Sequence, residues 1–278
     1  MKVDLHTHSH FSDGTHPPDY VLNRAQENGV THLALTDHDC LEGFRAAARH
    51  AAKWNLHLLA GVEISTRWEN QEIHVIGLCV DADDAELNLL LKRQQQKRRE
   101  RMENFDRRLV KAGITGLGEY IGNLPCVSPG RAHVARFLAS RTTSGTPRKA
   151  FRSLARNGRF YVPAEWCSLT EAIACIRAAS GIPVLAHPHR YSLGRNANSR
   201  LLRDFCAAGG EAMEISCSSM TDSQVEKLAR TSLELDLLVS AGSDFHTSEA
   251  TWMDIGRLRR FPESVKKNAI WEHPGWHC

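Results

Sequence analysis

The 278-residue chain lacks the cysteine pairs and the long apolar runs that mark zinc ribbons, disulfide frameworks and membrane proteins. Its eight cysteines are scattered and none stands in a CxxC pair, so we expect reduced thiols with structural roles. No apolar run approaches the roughly 20 residues that a membrane-spanning helix needs, and no apolar signal segment opens the sequence. We therefore expect a cytoplasmic protein with no membrane association and no obligate protein partner.

The chain also lacks a large excess of charge of either sign, since its formal net charge is only +3. Hydrophobic residues make up 42% of the chain and charged residues 24%, which is enough for a full core in one large α/β domain or in a domain with an insertion. Histidine, in contrast, is plentiful: there are fifteen, and several lie beside carboxylates. This clustering directs the search for function toward metal sites.

Seven apolar runs end in polar residues, and helical patterns such as residues 18–28 and 223–234 lie between most of them. The runs are KVDLHTH, THLALTDHD, HLLAGVE, EIHVIGL, IPVLAHP, GEAMEIS and LLVSAGSDFH. Strands that alternate with helices indicate a largely parallel sheet, whose polar strand ends meet at one mouth. The pattern predicts an α/β fold, a distorted TIM-like (β/α)7 barrel.

Two spacings interrupt the regular repeat. Glu63 and His74 are too close for a crossover helix, so a hairpin around residues 68–71 is predicted, with His74 in the returning strand. The long gap before His187 predicts an inserted, mainly helical subdomain. We expect residues 1–84 and 166–278 to form the catalytic barrel and residues 85–165 to form an insertion that caps its mouth.

Within that insertion, residues 92–111 contain nine Lys or Arg and three Asp or Glu. Apolar residues keep helical spacing there, which predicts an amphipathic helix with a basic face. Two interpretations remain open: a solvated face, or a surface for a polyanionic substrate.

Nine imidazoles and carboxylates are expected at the barrel mouth, and no cysteine accompanies them. They are His6, His8, Asp13, His38, Glu63, His74, His187, Asp244 and His246. This donor set suits Mn²⁺, Fe²⁺ or Zn²⁺ in a multinuclear site, because carboxylates can bridge neighbouring ions. A single ion would not need so many ligands.

The motifs DLHTHSHFSDG, LTDHD, GVEIS followed by IHVIG, LAHP and GSDFH resemble, in order, those of the PHP (polymerase and histidinol phosphatase) phosphoesterases. The resemblance implies three metal ions, most simply three Mn²⁺. It implies one ion on His6, His8, Glu63 and Asp244, a second on Glu63, His74 and His187, and a third on Asp13, His38 and His246. Glu63 would bridge the first two ions.

Two further motifs, SPGRAHVARFL and HPHRYSLGR, are similar to a PHP subgroup of 3′,5′-nucleotide bisphosphate phosphatases and ribonuclease AM type 5′-to-3′ exoribonucleases. The implied substrate is a nucleotide 3′,5′-bisphosphate, such as 3′-phosphoadenosine 5′-phosphate, or a short 5′-phosphorylated RNA. In both, the 5′-phosphate is anchored and the 3′-phosphoester is hydrolysed. The sequence leaves open which of the two is the main substrate.

Paired metal ions about 3.5 to 4 Å apart can hold a hydroxide that attacks phosphorus and can neutralise the phosphoryl oxygens. No protein side chain is then needed as the nucleophile. A third ion would bind either the non-bridging oxygens or the leaving alkoxide.

Arg131 and Arg190 are the predicted phosphate clamps, because guanidinium groups bind phosphate through two parallel hydrogen bonds. His133 is a further substrate-binding candidate. Asp37 and Asp39 flank His38, and we expect them to orient its ring by hydrogen bonding.

Three more histidines carry no assigned role. His10 and His16 lie near the predicted ligands but outside the matched positions, and His189 stands where PHP relatives commonly have glycine. Two other functions remain as alternatives: a small-metabolite phosphomonoesterase of the histidinol-phosphatase type, and a non-catalytic metal-binding accessory domain.

Overall fold

A nearly closed, barrel-like sheet forms the centre of the computed structural model, which describes residues 1–141, 146–250 and 252–276. Its strands are β1 (Val3–Thr7), β2 (His32–Leu35), β3 (His57–Trp68), β4 (Gln71–Leu78), β5 (Cys167–Ser168), β6 (Ile182–Leu185), β7 (Ala212–Ser216) and β8 (Leu238–Ala241). The strand order is β1-β2-β3-β4-β6-β7-β8, and the two-residue β5 pairs with the outer part of β3. The predicted seven-strand α/β barrel is confirmed.

Helices connect the strands and cover the outside of the sheet. They are α1 (Pro18–Glu27), α2 (Glu42–Ala48), α3 (Ala85–Val110), α4 (Leu117–Gly122), α5 (Arg131–Ser140), α6 (Pro147–Ser153), α7 (Leu169–Ala178), α8 (Arg195–Ala207) and α9 (Asp222–Glu234). Short 3₁₀ turns span Ala51–Lys53, Pro188–Arg190, Glu263–Asn268 and Ile270–Glu272. The described helices include none with the length and apolarity of a transmembrane span, and no disulfide joins the cysteines of the described ranges.

The hairpin predicted from the short spacing is confirmed. β3 and β4 pair antiparallel from Gly61 opposite Leu78 to Trp68 opposite Gln71, so that only two residues form the turn. β4 is also antiparallel to β6, whereas the other neighbouring strands are parallel. Because β4 runs in the opposite direction, its early residue His74 lies at the mouth where the parallel strands end.

The first and last strands meet at a seam. Thr7 and Phe245 form an isolated parallel bridge, and the Asp244 N–H donates to the His6 carbonyl at 2.8 Å. These contacts lie just beyond the end of β8, at the mouth of the barrel. The seam therefore brings the first and last polar motifs of the chain into contact.

Helices α3 to α6 lie between β4 and β5 and have an apolar core of their own. The N-terminal part of α3 buries Leu87 and Leu91 in the core of the barrel, and its C-terminal part buries Phe105 and Leu109 against α5 and its neighbours. Helix α3 thus connects two cores. The domain boundaries at residues 84 and 166 stay a prediction.

Candidate metal centre

The strands of the barrel and the segments that follow them position the predicted metal ligands. His6 lies within β1, Glu63 lies in the middle of the long β3, and His187 and Asp244 follow β6 and β8. His187 and Asp244 have positive φ angles, 33° and 54°, where non-glycine residues are uncommon. Such backbone costs about 1 to 3 kcal/mol per residue and occurs most often at functional sites.

Glu63 lies at the centre of the cluster and is fully buried. Its Oε1 atom is 2.9 Å from both His74 Nδ1 and His187 Nε2. Its Oε2 atom lies 3.0 to 3.2 Å from nitrogen atoms of His6, His8 and His38. One carboxylate therefore touches five imidazoles, a position that suits a bridging ligand.

His6 and His8 face each other with their Nε2 atoms 3.0 Å apart. The same two nitrogen atoms are 3.3 and 3.2 Å from Asp244 Oδ1. Two imidazole lone pairs at this distance repel unless a proton or a cation lies between them. The two flanking carboxylates favour a cation.

Three groups of residues could each hold a metal ion, because within each group the ligand atoms all lie within 4.8 Å of one another. They are His6, His8, Glu63 and Asp244; His8, Asp13, His38 and His246; and His38, Glu63 and His74. The first group contains the same residues as the first predicted ion. The second group adds His8 to the residues predicted for the third ion. The third group contains His38 in place of the His187 that was predicted for the second ion. These groups contain eight of the nine predicted ligands, and the ninth, His187, contacts Glu63 at 2.9 Å. The structure thus brings all nine together, while their division among ions stays a prediction.

The charges of the cluster are strongly coupled. Burial opposes protonation of His8, but hydrogen bonds with Asp244 and Glu63 outweigh it and raise the His8 pKa to about 10. The pKa of His74 is raised to about 9 because Glu63 likewise overcomes the effect of burial. Burial alone would raise the pKa of Glu63, but the surrounding histidines hold it well below its usual range. The carboxylates are ionised, and the cluster attracts positive charge.

Four buried atoms of the predicted ligands form no hydrogen bond of good geometry with the described residues. They are Asp13 Oδ1, His38 Nδ1, Glu63 Oε2 and His187 Nδ1. Buried polar atoms are normally satisfied, so these four indicate a missing partner. Imidazole nitrogen and carboxylate oxygen are ligands for divalent transition metals, and the residues present therefore fit divalent metal binding.

A cavity of about 590 Å³ opens over the cluster. Seven of the nine predicted ligands lie in its floor, and five arginines lie in its walls: Arg98, Arg101, Arg131, Arg136 and Arg190. Helices α3 and α5 supply four of these arginines. The cavity thus combines a floor that binds cations with walls that bind anions.

The three predicted substrate-binding residues have different positions. Arg131 lies in the wall, with its guanidinium 3.6 Å from Glu72 Oε1. Arg190 also lines the cavity, and it donates a hydrogen bond to Asp244. His133 is only 2% exposed and accepts the Gly130 N–H at 3.0 Å, so its ring caps the start of α5 behind the cavity wall.

Asp37 and Asp39 do not form the hydrogen bond to the His38 ring expected of them, as judged within the described ranges. Asp37 accepts the Ser9 N–H at 2.8 Å and the Ser12 hydroxyl at 2.6 Å, so it fixes the loop that follows β1. Asp39 accepts a hydrogen bond from Arg98 at 2.7 Å. Both carboxylates are therefore engaged away from the His38 ring, and the positive φ of Asp39, 48°, turns the chain directly after His38.

Comparisons with known proteins agree with this geometry. The PHP domain family matches residues 4–154. A 5′-3′ exoribonuclease of Haemophilus influenzae is 37% identical over 272 residues, which cover 98% of this chain and 98% of that protein. The chain belongs to the PHP family.

Other PHP relatives extend the similarity. A 3′,5′-nucleoside bisphosphate phosphatase of Chromobacterium violaceum is 36% identical over 94% of this chain and 92% of its own length. A solved structure from the same organism, described as an amidohydrolase with bound SO4 and no metal, superposes with a TM-score of 0.89. It is 35% identical, and the match covers 98% of this chain and 95% of that one. The PHP resemblance seen in the motifs is therefore confirmed.

One residue of the PHP site escaped the sequence analysis. Glu214 lies in β7, where its Oε1 is 2.8 Å from His6 Nδ1 and its Oε2 accepts the His187 N–H. It thus holds two predicted ligands from behind, as carboxylates commonly do for metal-binding histidines. A glutamate in the middle of the apolar run GEAMEIS was the available signal.

Replacing Glu214 with alanine is expected to weaken metal binding about 10- to 100-fold, because His6 loses the partner that fixes its ring. Titration of the metal-free protein with Mn²⁺ would measure this. Glu211→Ala is the matched control, since Glu211 pairs with His273 at 2.8 Å outside the centre. Equal Mn²⁺ affinities for the two variants would contradict the role of Glu214.

Proposed function

We propose that this PHP protein is a metal-dependent hydrolase that cleaves the 3′-phosphoester of nucleotide 3′,5′-bisphosphates and of short 5′-phosphorylated RNA, in the 5′-to-3′ direction. The observation that carries the proposal is one cavity that combines seven metal-type donors in its floor with five arginines in its walls. The remaining two donors, His6 and His8, contact Glu63 of that floor. The names of the two relatives, an exoribonuclease and a bisphosphate phosphatase, support both substrates.

The nine donors are proposed to hold three divalent ions, with Mn²⁺ expected and Fe²⁺ or Zn²⁺ as alternatives. Bound ions of this kind lower the pKa of a water ligand and neutralise phosphoryl oxygens. Glu63 is proposed as the bridge because both of its oxygen atoms contact histidines. Asp244 is kept ionised because Arg190 and His246 overcome the effect of burial and hold its pKa well below its usual range.

The chain itself would bind and orient the phosphates. Arg131 stands at the first turn of α5, where Gly130 and Ala132 also line the cavity. A guanidinium beside a helix N-terminus is well suited to a phosphate dianion. Arg190 would act near the metal ions, because it already contacts Asp244. Anchoring one phosphate at α5 would leave the second over the ions.

Residues 85–165 are proposed as a cap that closes this cavity over the barrel formed by residues 1–84 and 166–278. The support is that Arg98, Arg101, Arg131 and Phe151 of the insertion face the metal-type donors across one cavity. A cap of this kind would exclude bulk water and so strengthen the interactions of phosphate with arginine.

The first experiment measures phosphate and nucleotide release, with Mn²⁺ supplied, from 3′-phosphoadenosine 5′-phosphate and from a 5′-phosphorylated RNA. Each substrate is compared with its 5′-hydroxyl counterpart. We expect strong dependence on the 5′-phosphate. Turnover without that dependence would favour a simple monoesterase, and no turnover at full metal loading would favour a binding module.

Arg131→Ala is expected to raise KM for the bisphosphate by at least about tenfold, since it removes a charge-assisted contact with the anchored phosphate. A generic aryl phosphate, which has no second phosphate, should change about twofold or less. Arg99→Ala, an exposed arginine on α3, is the control. Equal effects of Arg131→Ala on the two substrates would exclude a role as a specificity clamp.

A further inference from the structure

A second groove runs along α3 beside the catalytic cavity. It has a volume of about 470 Å³. One side is formed by α3 and the other by residues 162–165, which precede β5. Its charged lining residues are Lys97, Arg101, Arg107, Arg108 and Lys111 against Glu100 and Glu165. The groove is therefore strongly positive in a chain whose net charge is only +3.

Five of the groove residues form one stripe of the helix. Lys97, Arg101, Asn104, Arg108 and Lys111 are spaced by alternating steps of four and three, so they share one face of α3. At 1.5 Å per residue the stripe is roughly 21 Å long. Cations placed along one line of this length can contact several charges of an extended polyanion.

Three of the four cations of this stripe, all but Arg101, form no ion pair within the described part of the fold. Lys97, Arg108 and Lys111 form no ion pair with any described residue, whereas Arg93 and Arg98 of the same helix pair with Glu171 and Asp39. Arg108 and Lys111 are exposed. Exposed cations without carboxylate partners, gathered in a groove, are typical of surfaces that bind phosphates.

Arg101 connects the groove with the catalytic cavity, because it lines both. Its guanidinium lies 3.8 Å from Glu72 Oε2 on the cavity side and donates to the Val162 carbonyl on the groove side. It also lies over the ring of Trp166, at 5.4 Å. Positive charge is thus continuous from the cavity wall to the end of α3.

We propose that this groove binds the backbone phosphates of single-stranded RNA downstream of the nucleotide in the catalytic cavity. The inference rests on the proposed function, in which the 5′-terminal nucleotide occupies the cavity and the rest of the chain must leave it. The groove begins at the cavity wall and follows one line of cations, which suits one strand with its backbone extended. Recognition is through phosphates and is independent of base sequence.

The test compares two variants that each remove two positive charges from α3. Lys97→Gln with Arg108→Gln alters the groove, and Lys92→Gln with Arg99→Gln alters exposed cations of the same helix outside it. The substrates are 3′-phosphoadenosine 5′-phosphate and 5′-phosphorylated RNAs from a dinucleotide to a dodecamer. For each, KM and kcat are measured with Mn²⁺ over a range of salt concentrations.

In the wild type, KM is expected to fall as the RNA lengthens. The groove variant should raise KM for the dodecamer about tenfold and reduce the salt dependence of log kcat/KM by about 1.4, because each lost phosphate contact on a single strand contributes about 0.7. Its KM for the bisphosphate should stay within about twofold of wild type, which also shows that the variant is folded. The control variant should resemble wild type on every substrate.

Equal RNA kinetics for the groove and control variants would overturn the inference, and such a result would instead suit an acidic protein as the partner of the groove. A KM that does not change with RNA length in the wild type would overturn it as well. Either result leaves the proposed function intact if the wild type still cleaves the bisphosphate with 5′-phosphate dependence. Failure of the proposed function is recognised separately, as an absence of turnover on every substrate at full metal loading.

Discussion

Glu63→Gln is expected to lower kcat/KM for the bisphosphate on the order of 10³-fold, which corresponds to about 4 kcal/mol of transition-state stabilisation. The buried Glu63 carboxylate contacts five imidazoles at 2.9 to 3.2 Å. Glutamine keeps the shape of the side chain but removes its charge and one of its two acceptor oxygens. It can therefore no longer bridge two cations.

Metal content measured by elemental analysis after dialysis provides a readout independent of activity. Glu63→Gln should retain at least one ion fewer than wild type, while its circular dichroism spectrum should be unchanged. Glu69→Gln is the control, because Glu69 stands in the turn of the same hairpin and pairs with the exposed Arg200. Full metal content together with near wild-type kcat/KM in Glu63→Gln would refute the bridging role.

Arg98→Leu is expected to lower the free energy of unfolding by about 3 to 5 kcal/mol, because it leaves a buried charge without its partner. The Arg98 side chain is 5% exposed and the Asp39 side chain 0%, and their ion pair measures 2.7 Å. Arg98 also donates to the Ser65 hydroxyl at 2.7 Å, so it joins α3 to both β3 and the loop after β2. Chemical denaturation monitored by circular dichroism, with a chelator present, would measure the loss without a contribution from bound metal.

Arg93→Leu provides the matched comparison. Arg93 pairs with Glu171 between α3 and α7, but the two side chains are 55% and 43% exposed. Its loss should cost less than about 1 kcal/mol. Adding Asp39→Asn to Arg98→Leu should recover part of the stability, since asparagine removes the unpaired charge and tolerates the positive φ of 48° at this position. Similar losses for Arg93→Leu and Arg98→Leu would contradict this interpretation.

The barrel and the gathering of nine donors at its mouth were predictable because both depend on local patterns. Apolar runs of strand length ended in histidines and acids, and parallel strands bring such ends together. The hairpin was predictable for the same reason, since the chain between Glu63 and His74 is too short for any other connection. The positions of the ligands in the barrel thus follow from spacing along the sequence.

What the sequence could not provide depends on which distant residues meet. The basic helix was interpreted as having one cationic face, yet Arg98 and Arg101 are buried. Their partners, Asp39 and Glu72, come from strands and loops far along the chain. The sequence also contained nothing to show that His133 turns back to cap its own helix. Pairings of this kind are set by packing, which spacing does not reveal.

The seam between β1 and the segment after β8 has a consequence for protein synthesis. The proposed first ion needs His6 and His8 together with Asp244, which the ribosome adds 236 residues after His8. Chains grow from the N-terminus, and contacts between residues far apart in sequence form slowly. A nascent chain therefore carries scattered ligands and an open barrel until β8 and Asp244 have been made. A product terminated before Asp244 would leave the first motif without its partner, so it would be inactive.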